Sequence, residues 1–407
     1  MVWKRRFWFA LLYFCEGAPI GLIWWAAPTL LRNRGVDLET LTAITSVSIL
    51  PWTLKVFWSP LVDFLRNRLW SFPQWVALMQ IGMALSLVPL FFFEWKDHPH
   101  LLVICFAIHG VFAATQDVSI DAWAIQETPE WDRARTAGLM EAGMLAGSWV
   151  FGGGTLFVSH WVDSKSMIFG MIFLLVSVAL FSMTKRSFAP LASSASQGQG
   201  GIIWVLKRLQ KVLFTRISWV GLFIAVTAGA VLKAFGVLFG PYLTDLGWSE
   251  VEVGSAFSLT TAATLLGSLA GGFLADKLGR VRVAQVTLVY LVMTSTVFFQ
   301  MGSSSGGILL IGSAVFFGAG LFLSAFFGLL MTLSDSHMSA TQFSFFMAGV
   351  NLCESWSGWA AGRWANSFGY DKAFLILSGI SLLAIPVLGA LKKWDRDQFD
   401  KSLNLNG

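Results

Sequence analysis

Charged side chains are scarce in this chain. Asp, Glu, Lys and Arg make up 13% of its 407 residues, and hydrophobic residues make up 56%, whereas a soluble domain is about a quarter charged. This composition excludes an ordinary soluble domain and predicts an integral membrane protein. The net charge of +5 does not indicate nucleic-acid binding, because the basic residues cluster in short loops, as orientation signals do.

Cysteine and histidine are also few. Cys15, Cys105 and Cys353 all lie in apolar runs, which excludes a disulfide framework or zinc-site spacing and predicts a packing role. No nucleotide-binding motif is present, so ATP is excluded as a driving force, and we expect no cofactor and no metal. His160 and His337 are isolated, and no Ser/His/Asp arrangement is readable. An enzyme is therefore not expected, although a polytopic membrane enzyme such as an acyl transferase stays open as an alternative.

Long apolar runs dominate what is present. A helix needs about 20 apolar residues to cross a bilayer, and we predict twelve such spans. They are 7–31, 41–62, 72–93, 101–125, 136–158, 166–184, 218–243, 253–275, 283–301, 306–333, 341–364 and 372–391. Lys and Arg outside these spans are unevenly divided, with 20 of the 28 on one side and six on the other. The positive-inside rule therefore predicts that both termini are cytoplasmic.

The two halves of the chain repeat each other. Pro28 and Pro241 are 213 positions apart, and so are Asp63 and Asp276, which each stand in an acidic-to-basic turn after the second span of their half. We predict an N-terminal six-helix bundle (1–184), a flexible cytoplasmic linker (185–217), a C-terminal six-helix bundle (218–391) and a cytoplasmic tail (392–407). Internal repeats of six spans indicate a transporter with its site at the repeat interface.

Three motifs carry a family resemblance. Gly272 to Arg282 follows the pattern G-x-x-x-D-x-x-G-R-x-R, and over its whole length the chain resembles the major facilitator superfamily. Lys55 to Asp63 reads Lys-x-x-Trp-Ser-Pro-Leu-x-Asp, and Gln116 to Trp123 reads Gln-Asp-x-x-x-Asp-Ala-Trp. These two patterns resemble the branch of AmpG muropeptide permeases and acetyl-CoA transporters.

The resemblance implies an all-α integral membrane protein with twelve transmembrane helices in two pseudo-symmetric six-helix bundles. It also implies secondary transport by alternating access in the bacterial inner (plasma) membrane, as proton-coupled import. The cargo would be a sizeable polar solute, with an anhydro-muropeptide as first candidate and a siderophore or an acyl-CoA-type anion as alternatives. The expected partners are a small-molecule solute, protons and the lipid bilayer, with no nucleic acid and with the protein as a monomer.

Ionisable residues inside the spans point to a transport path, because a charge in hydrocarbon normally faces a bundle interior or a water-filled path. They are Glu16, Lys55, Asp117, Asp121, Glu141, Lys233 and Glu354. Crowded carboxylates in a low dielectric cannot all be charged cheaply, so one of them can carry a coupled proton. We hypothesise that Lys55 pairs with Asp117 and that Glu16 or Glu141 takes up the proton. The alternative is a salt-bridge network that only orders the bundle.

The remaining membrane charges suggest a substrate site. Lys233 is the candidate for attracting an anionic substrate, and it can pair with Glu354 across two spans, which a static ion pair would equally explain. Lys55, Gln116 and Asn351 complete the predicted substrate-binding set, although Asn351 could instead hydrogen-bond another helix.

Charges near the predicted cytoplasmic ends suggest a gate. Asp121 is expected close to the basic turn that contains Arg66, where pairing would lock the cytoplasmic ends of the first half. His109, by contrast, is expected to be a hydrogen-bonded packing residue. The predicted gating residues are Asp63, Arg66, Asp121, Asp276 and Arg280.

Overall fold

The structure is a computed structural model that describes residues 2–27, 31, 48, 50–65, 71–158, 164–184, 210, 214–248, 250–300, 305–334 and 338–391. Every regular element in these ranges is helical and none is a strand, so the prediction of an all-α protein is confirmed. Arg66, most of the predicted linker, the predicted tail and part of the predicted span 41–62 lie outside the described residues.

The first half of the chain begins with a long α-helix that continues into a π-helical turn. Pro19 lies inside this helix, and a π-helical turn (Leu22–Ala26) follows it; a proline removes one backbone donor, and local π adjustments commonly accompany such a loss. A 3-10 turn (Lys55–Phe57) precedes the second helix. The helices are α1 (Val2–Gly21), α2 (Ser59–Leu65), α3 (Phe72–Leu87), α4 (Pro99–Glu127), α5 (Arg133–Phe151), α6 (Gly153–Val158) and α7 (Ser164–Met183).

Two helix junctions in the second half are made by glycines with positive φ. Gly279 separates two helices with φ of 95°, and Gly369 does so with φ of 91°; glycine adopts this left-handed conformation without steric cost. Gly279 is also the glycine of the Gly-Arg pair in the loop motif. The helices are α8 (Arg216–Thr227), α9 (Ala230–Asp245), α10 (Glu250–Leu278), α11 (Arg280–Gln300), α12 (Ser305–Leu333), α13 (Ser339–Phe368) and α14 (Tyr370–Leu382).

Within the described ranges, nine helical segments are long and apolar enough to cross a membrane. They coincide with predicted spans 1, 3, 4, 6 to 10 and 12. Predicted span 5 corresponds to α5 and α6, and predicted span 11 corresponds to α13. These two spans are less apolar because they carry polar side chains such as Glu141 and Glu354, which is why length and hydropathy alone do not select them.

The chain divides into two compact units. The first contains residues 1–127, 143–211 and 335–344, and the second contains 128–142, 212–334 and 345–407. Each unit thus includes a short segment from the other half of the chain: the start of α13 belongs to the first unit and the start of α5 to the second. The domain boundaries at 184 and 218 stay a prediction.

Glycines bring α1 and α5 into backbone contact inside the first unit. A Cβ atom on Gly17 would lie 2.0 Å from the carbonyl oxygen of Met144, and one on Gly147 would lie 2.2 Å from that of Phe14. Gly143 meets α1 in the same way, so the interpretation of the Gly143/Gly147 spacing as a close-packing motif is confirmed. This contact restricts the rotation of α1 and thereby determines which of its side chains face the interior.

An aromatic cluster forms the core of the second unit. Phe235 on α9 packs edge-on against Phe298 of α11, Phe316 of α12 and Phe374 of α14, with ring centroids 5.0, 5.5 and 5.7 Å away. Such contacts tie four helices together. Because Phe235 faces this core, Lys233, two residues earlier, points from a different face of α9.

Candidate functional site

A buried ion pair lies in the first unit. Lys55 Nζ donates to Asp117 Oδ2, and the two side chains are only 2% and 8% exposed. Lys55 occupies the 3-10 turn ahead of α2, and Asp117 lies inside α4. Trp58 Nε1 donates to Thr115 Oγ1 at 3.1 Å and adds a second link between the same two elements. The pairing of Lys55 with Asp117 that the sequence suggests is therefore present.

Tyr13 joins this pair to a second aspartate. Its hydroxyl lies 3.3 Å from Asp117 Oδ1 and also within hydrogen-bond distance of Asp121 Oδ1. Asp117 and Asp121 are four residues apart on α4, so both carboxyls project from one face of that helix. Sequence reasoning missed Tyr13, although its position three residues before Glu16 on α1 places the two on one helical face.

Glu16 completes the group, which we call the first-unit cluster: Tyr13, Glu16, Lys55, Asp117 and Asp121. Glu16 is 3% exposed, and it interacts electrostatically with both aspartates and with Lys55. Its Oε2 atom has no hydrogen-bond partner among the described residues. The cluster thus places three carboxyl groups around one ammonium group. Because an unbalanced buried charge is costly, this arrangement favours holding a proton on at least one carboxyl.

Two further polar residues of α4 are buried. The Gln116 side chain is fully buried, and neither its amide oxygen nor its amide nitrogen has a partner in the part of the chain that the structure describes. His109 Nδ1 lies 3.0 Å from Ser86 Oγ and 3.2 Å from the Met83 carbonyl oxygen on α3. His109 is therefore the hydrogen-bonded packing residue that the sequence suggests.

The second unit contains its own ion pair. Lys233 Nζ of α9 donates to Glu354 Oε2 of α13, so this predicted pairing is also present. Lys233 interacts electrostatically with Glu141 as well, and Glu141 is buried in the same unit. Asn351 lies about one turn before Glu354 on α13 and is half-buried.

The two ion pairs differ in access. The side chains of Lys233 and Glu354 are 27% and 50% exposed, whereas Lys55 and Asp117 are almost fully enclosed. An accessible cation can exchange its carboxylate partner for an anionic ligand, while an enclosed pair responds mainly to a change in its own protonation. The geometry thus separates a pair suited to binding from a cluster suited to holding protons.

Asp63 caps the start of α13 within the first unit. Its carboxylate accepts hydrogen bonds from the backbone N–H groups of Ala340 at 3.3 Å and Thr341 at 2.8 Å, and from Thr341 Oγ1 at 2.6 Å. A carboxylate satisfies the free N–H groups of a helix N-terminus and is stabilised by the helix dipole.

Asp276 makes the equivalent cap within the second unit. Its carboxylate accepts hydrogen bonds from the backbone N–H groups of Ala134 at 3.1 Å and Arg135 at 2.8 Å, at the start of α5. Asp63 and Asp276 are the repeat-related aspartates of the sequence, and each one caps a helix from the other half of the chain.

Buried arginines surround the second cap. Arg280 Nη1 donates to the Glu130 carbonyl oxygen and, at 2.6 Å, to Thr332 Oγ1. Arg133 Nη1 donates to the Met331 carbonyl oxygen at 3.1 Å. Together these bonds connect Glu130, just before α5, and Arg133, its first residue, to Arg280 and to the end of α12. Asp121, by contrast, lies in the first-unit cluster, and its predicted partner region around Arg66 lies outside the described residues.

The sequence as a whole matches one family model. The model of the Major Facilitator Superfamily matches residues 9–362 and, in a second alignment, 222–404. The chain belongs to this superfamily. It is accordingly a secondary transporter, and family membership indicates transport rather than the alternative of a polytopic membrane enzyme.

Two curated relatives align with nearly the whole chain. The AmpG 4 protein of Rickettsia felis is 24% identical, over 96% of this chain and 97% of the relative. The anhydromuropeptide permease of Escherichia coli (strain K12) is 25% identical, over 90% of this chain and 75% of the relative. The resemblance to the AmpG branch is thus confirmed.

Two solved structures share the fold. The fucose:proton symporter FucP of E. coli superposes with a TM-score of 0.75 over 96% of this chain and 98% of that chain, at 12% identity. The proton:xylose symporter XylE superposes with a TM-score of 0.70 over 95% of this chain and 94% of that chain, also at 12% identity. The fold is therefore the all-α major facilitator fold of an integral, multi-pass membrane protein.

Proposed function

We propose that this transporter imports a sizeable polar solute across the bacterial inner membrane by alternating access, driven by protons. Both termini are then cytoplasmic, and the working unit is a monomer. The observation that carries the proposal is the first-unit cluster, in which three enclosed carboxyls share one ammonium group. A carboxyl in such surroundings can be held neutral and can release its proton when its surroundings change.

The two ion pairs take different roles in this proposal. Asp117, Glu16 and Glu141 are the proton-coupling carboxyls. When a carboxyl next to the enclosed Lys55 changes its charge, the ion-pair contacts of Lys55 with the neighbouring helices change as well. In the second unit, the accessible Lys233 attracts an anionic group of the substrate in competition with Glu354. A substrate carboxylate that binds Lys233 would take the place of the Glu354 carboxylate, so the ammonium group keeps one negatively charged partner during binding.

Polar side chains near these pairs contribute to substrate binding. Asn351, close to Glu354 on α13, offers both a donor and an acceptor. Gln116, beside Asp117 on α4, is enclosed in this conformation, so its binding role requires a conformation that opens the first-unit cluster. The caps made by Asp63 and Asp276, together with Arg280, act as gate contacts, because each one holds a helix start that comes from the other half of the chain.

An anhydro-muropeptide is the first candidate for the cargo. The E. coli relative that aligns with 90% of this chain is an anhydromuropeptide permease. Such a molecule combines sugar hydroxyls with peptide carboxylates, and the carboxylates match an accessible cation such as Lys233. A siderophore or an acyl-CoA-type anion also carries negative charge, so both belong in the same experiment.

The test is uptake of a labelled anhydro-muropeptide into proteoliposomes with an imposed inward proton gradient. Wild type is compared with Asp117→Asn and with Asp97→Asn, a matched substitution at an exposed aspartate in the segment between α3 and α4. We expect gradient-driven uptake in wild type and in the Asp97 variant, and its loss in the Asp117 variant.

Each other outcome removes one part of the proposal. Uptake at the same rate with and without the proton gradient would contradict proton coupling. Gradient-driven uptake that survives Asp117→Asn would contradict the role of Asp117. If wild type transports a siderophore or a CoA ester but no muropeptide, the cargo assignment is wrong.

A further inference from the structure

A single hydroxyl stands between two carboxyl groups in the first-unit cluster. Tyr13 Oη lies within hydrogen-bond distance of Asp117 Oδ1 and of Asp121 Oδ1. A tyrosine hydroxyl has only one hydrogen to donate, and an ionised carboxylate is only an acceptor. Both contacts are satisfied when one carboxylate accepts the tyrosine hydrogen and the other carboxyl is protonated and donates its own hydrogen to Tyr13 Oη.

The charge balance around these groups supports the same protonation pattern. Lys55 is held by Asp117, so Asp121 is the aspartate of this pair that has no bonded ammonium group among the described residues. The Glu16 carboxyl, on α1 beside Tyr13, adds a third acidic group that interacts with both aspartates. With all three carboxyls ionised, the enclosed cluster would carry an excess of two negative charges.

The other titratable groups that the structure describes on the neighbouring elements are more distant or engaged elsewhere. Helix rise places Arg6 about 10 Å from Tyr13 along α1, and Glu127 about 9 Å and His109 about 18 Å from Asp121 along α4. α3 contains no charged residue, and α7 contains only Lys165, in its first turn. Asp63 on α2 is engaged by the start of α13. Among the described residues, the charged groups that interact with the Tyr13 hydroxyl are Asp121, Asp117 and Glu16, and Lys55 is bonded to Asp117.

We propose that Asp121 is the carboxyl that receives the transported proton and that Tyr13 relays it to Asp117. The Asp121 carboxyl transfers its hydrogen to Tyr13 Oη while the Tyr13 hydrogen passes to Asp117 Oδ1. Asp121 becomes a carboxylate, Asp117 becomes a neutral acid, and tyrosine is unchanged, so one proton moves and no charge is created. The inference rests on the proposed function and deepens it.

This step couples protonation to helix contacts. A neutral Asp117 no longer balances the charge of Lys55, whereas the newly ionised Asp121 attracts it. The ammonium group is thus drawn from one carboxyl of α4 to the other, one helical turn away. Since Lys55 belongs to the segment ahead of α2, the proton shift changes the contact between that segment and α4. In this scheme Asp121 is a proton-binding residue, which differs from the gating role predicted from the sequence.

The first test does not depend on any substrate. Infrared difference spectra are recorded on the purified, reconstituted protein across a pH titration, with aspartate isotopically labelled at its side-chain carboxyl. We expect a protonated-carboxyl band that responds to the label, disappears in Asp121→Asn and shifts in frequency in Tyr13→Phe. Tyr290→Phe is the matched control, because its hydroxyl belongs to the second unit and donates to the Ala314 carbonyl oxygen at 3.1 Å.

The second test separates relay from structure. We expect Tyr13→Phe to keep substrate exchange at equal pH on both sides, which needs no net proton movement, but to lose about tenfold or more of gradient-driven uptake. The pH of half-maximal uptake should move by about one unit, the change expected when one hydrogen bond to an ionised group is lost. A purely structural tyrosine would affect exchange and uptake equally.

Several results would overturn the proposal. It is wrong if the labelled band survives in Asp121→Asn, if the only protonated carboxyl is insensitive to the aspartate label and vanishes in Glu16→Gln, or if Tyr13→Phe behaves like Tyr290→Phe in both tests. If Tyr13→Phe does not fold, the Asp121→Asn spectrum decides alone. If wild type does not transport a muropeptide, the cargo assignment fails while the infrared result still decides the proton site.

Discussion

Removing the ammonium group of Lys55 should destabilise the protein more than neutralising its bonded partner. Lys55 is 2% exposed and interacts with Asp117, Asp121 and Glu16. Lys55→Met leaves these carboxyls without the ammonium group of Lys55. Breaking a buried pair in this way lowers the free energy of unfolding by about 3–5 kcal/mol. Asp117→Asn leaves Lys55 with two acidic neighbours and keeps an oxygen acceptor, so we expect a cost of about 1–2 kcal/mol.

The double variant Lys55→Met/Asp117→Asn tests the coupling. The second substitution removes one of the carboxyls that the first leaves unbalanced. The double variant should therefore cost less than the sum of the two single-variant costs, by about 1 kcal/mol or more. Unfolding is followed by tryptophan fluorescence in mixed micelles with increasing SDS. Lys165→Met, at an exposed site in the first turn of α7, is the matched control and should change stability by less than about 0.5 kcal/mol.

Two outcomes would refute this reasoning. If Asp117→Asn costs as much as Lys55→Met, the lysine serves only that one aspartate and the other two carboxyls do not depend on it. If Lys55→Met is neutral, the carboxyls around it are already uncharged in the folded state, and the excess negative charge that motivates proton binding does not exist.

Three further predictions concern other contacts. Asp63→Ala and Asp276→Ala should each lower the free energy of unfolding by about 1–2 kcal/mol through loss of a helix cap, with the asparagine variants less affected; equal effects of Ala and Asn would contradict the capping role. Gly17→Ala should cost about 1–3 kcal/mol because its Cβ would meet the α5 backbone, whereas Gly170→Ala, with nothing within 4 Å, should be neutral in the same unfolding assay. Glu354→Gln should cost less than about 1 kcal/mol, because the Glu354 side chain is 50% exposed and that of Lys233 is 27% exposed; a cost as large as that of Lys55→Met would show that exposure does not separate the two pairs.

Much of the fold follows from local properties of the chain. The apolar runs predict the helices well because hydrophobicity and length are carried by consecutive residues. Predicted spans 5 and 11 are the informative cases: α5 and α13 form where expected, although their polar residues weaken the apolar signal. The repeat-related positions of Asp63 and Asp276 are also readable, because they depend only on spacing.

The candidate site is predicted less completely. The charges of both ion pairs are identified from the sequence because a charge inside an apolar run is conspicuous. Tyr13 is not, because a tyrosine in an apolar helix is ordinary, and only the rotation of α1 against α4 shows that it lies between two aspartates. The structure gives Asp121 an additional partner, Tyr13, that its depth along α4 does not indicate, and its predicted contact with the basic turn of Arg66 stays a prediction.

By itself, then, the sequence determined that the chain is an all-α membrane protein of two related halves, which residues are charged inside the membrane, and which superfamily it resembles. Only the tertiary structure decided that one ion pair is enclosed and the other accessible, that Tyr13 joins two carboxyls, and which helix starts Asp63 and Asp276 cap. The reason is physical. Hydropathy and spacing belong to the chain, whereas burial and partnership depend on how helices rotate and approach, and that depends on close contacts such as those of Gly17 and Gly147 between residues far apart in the sequence.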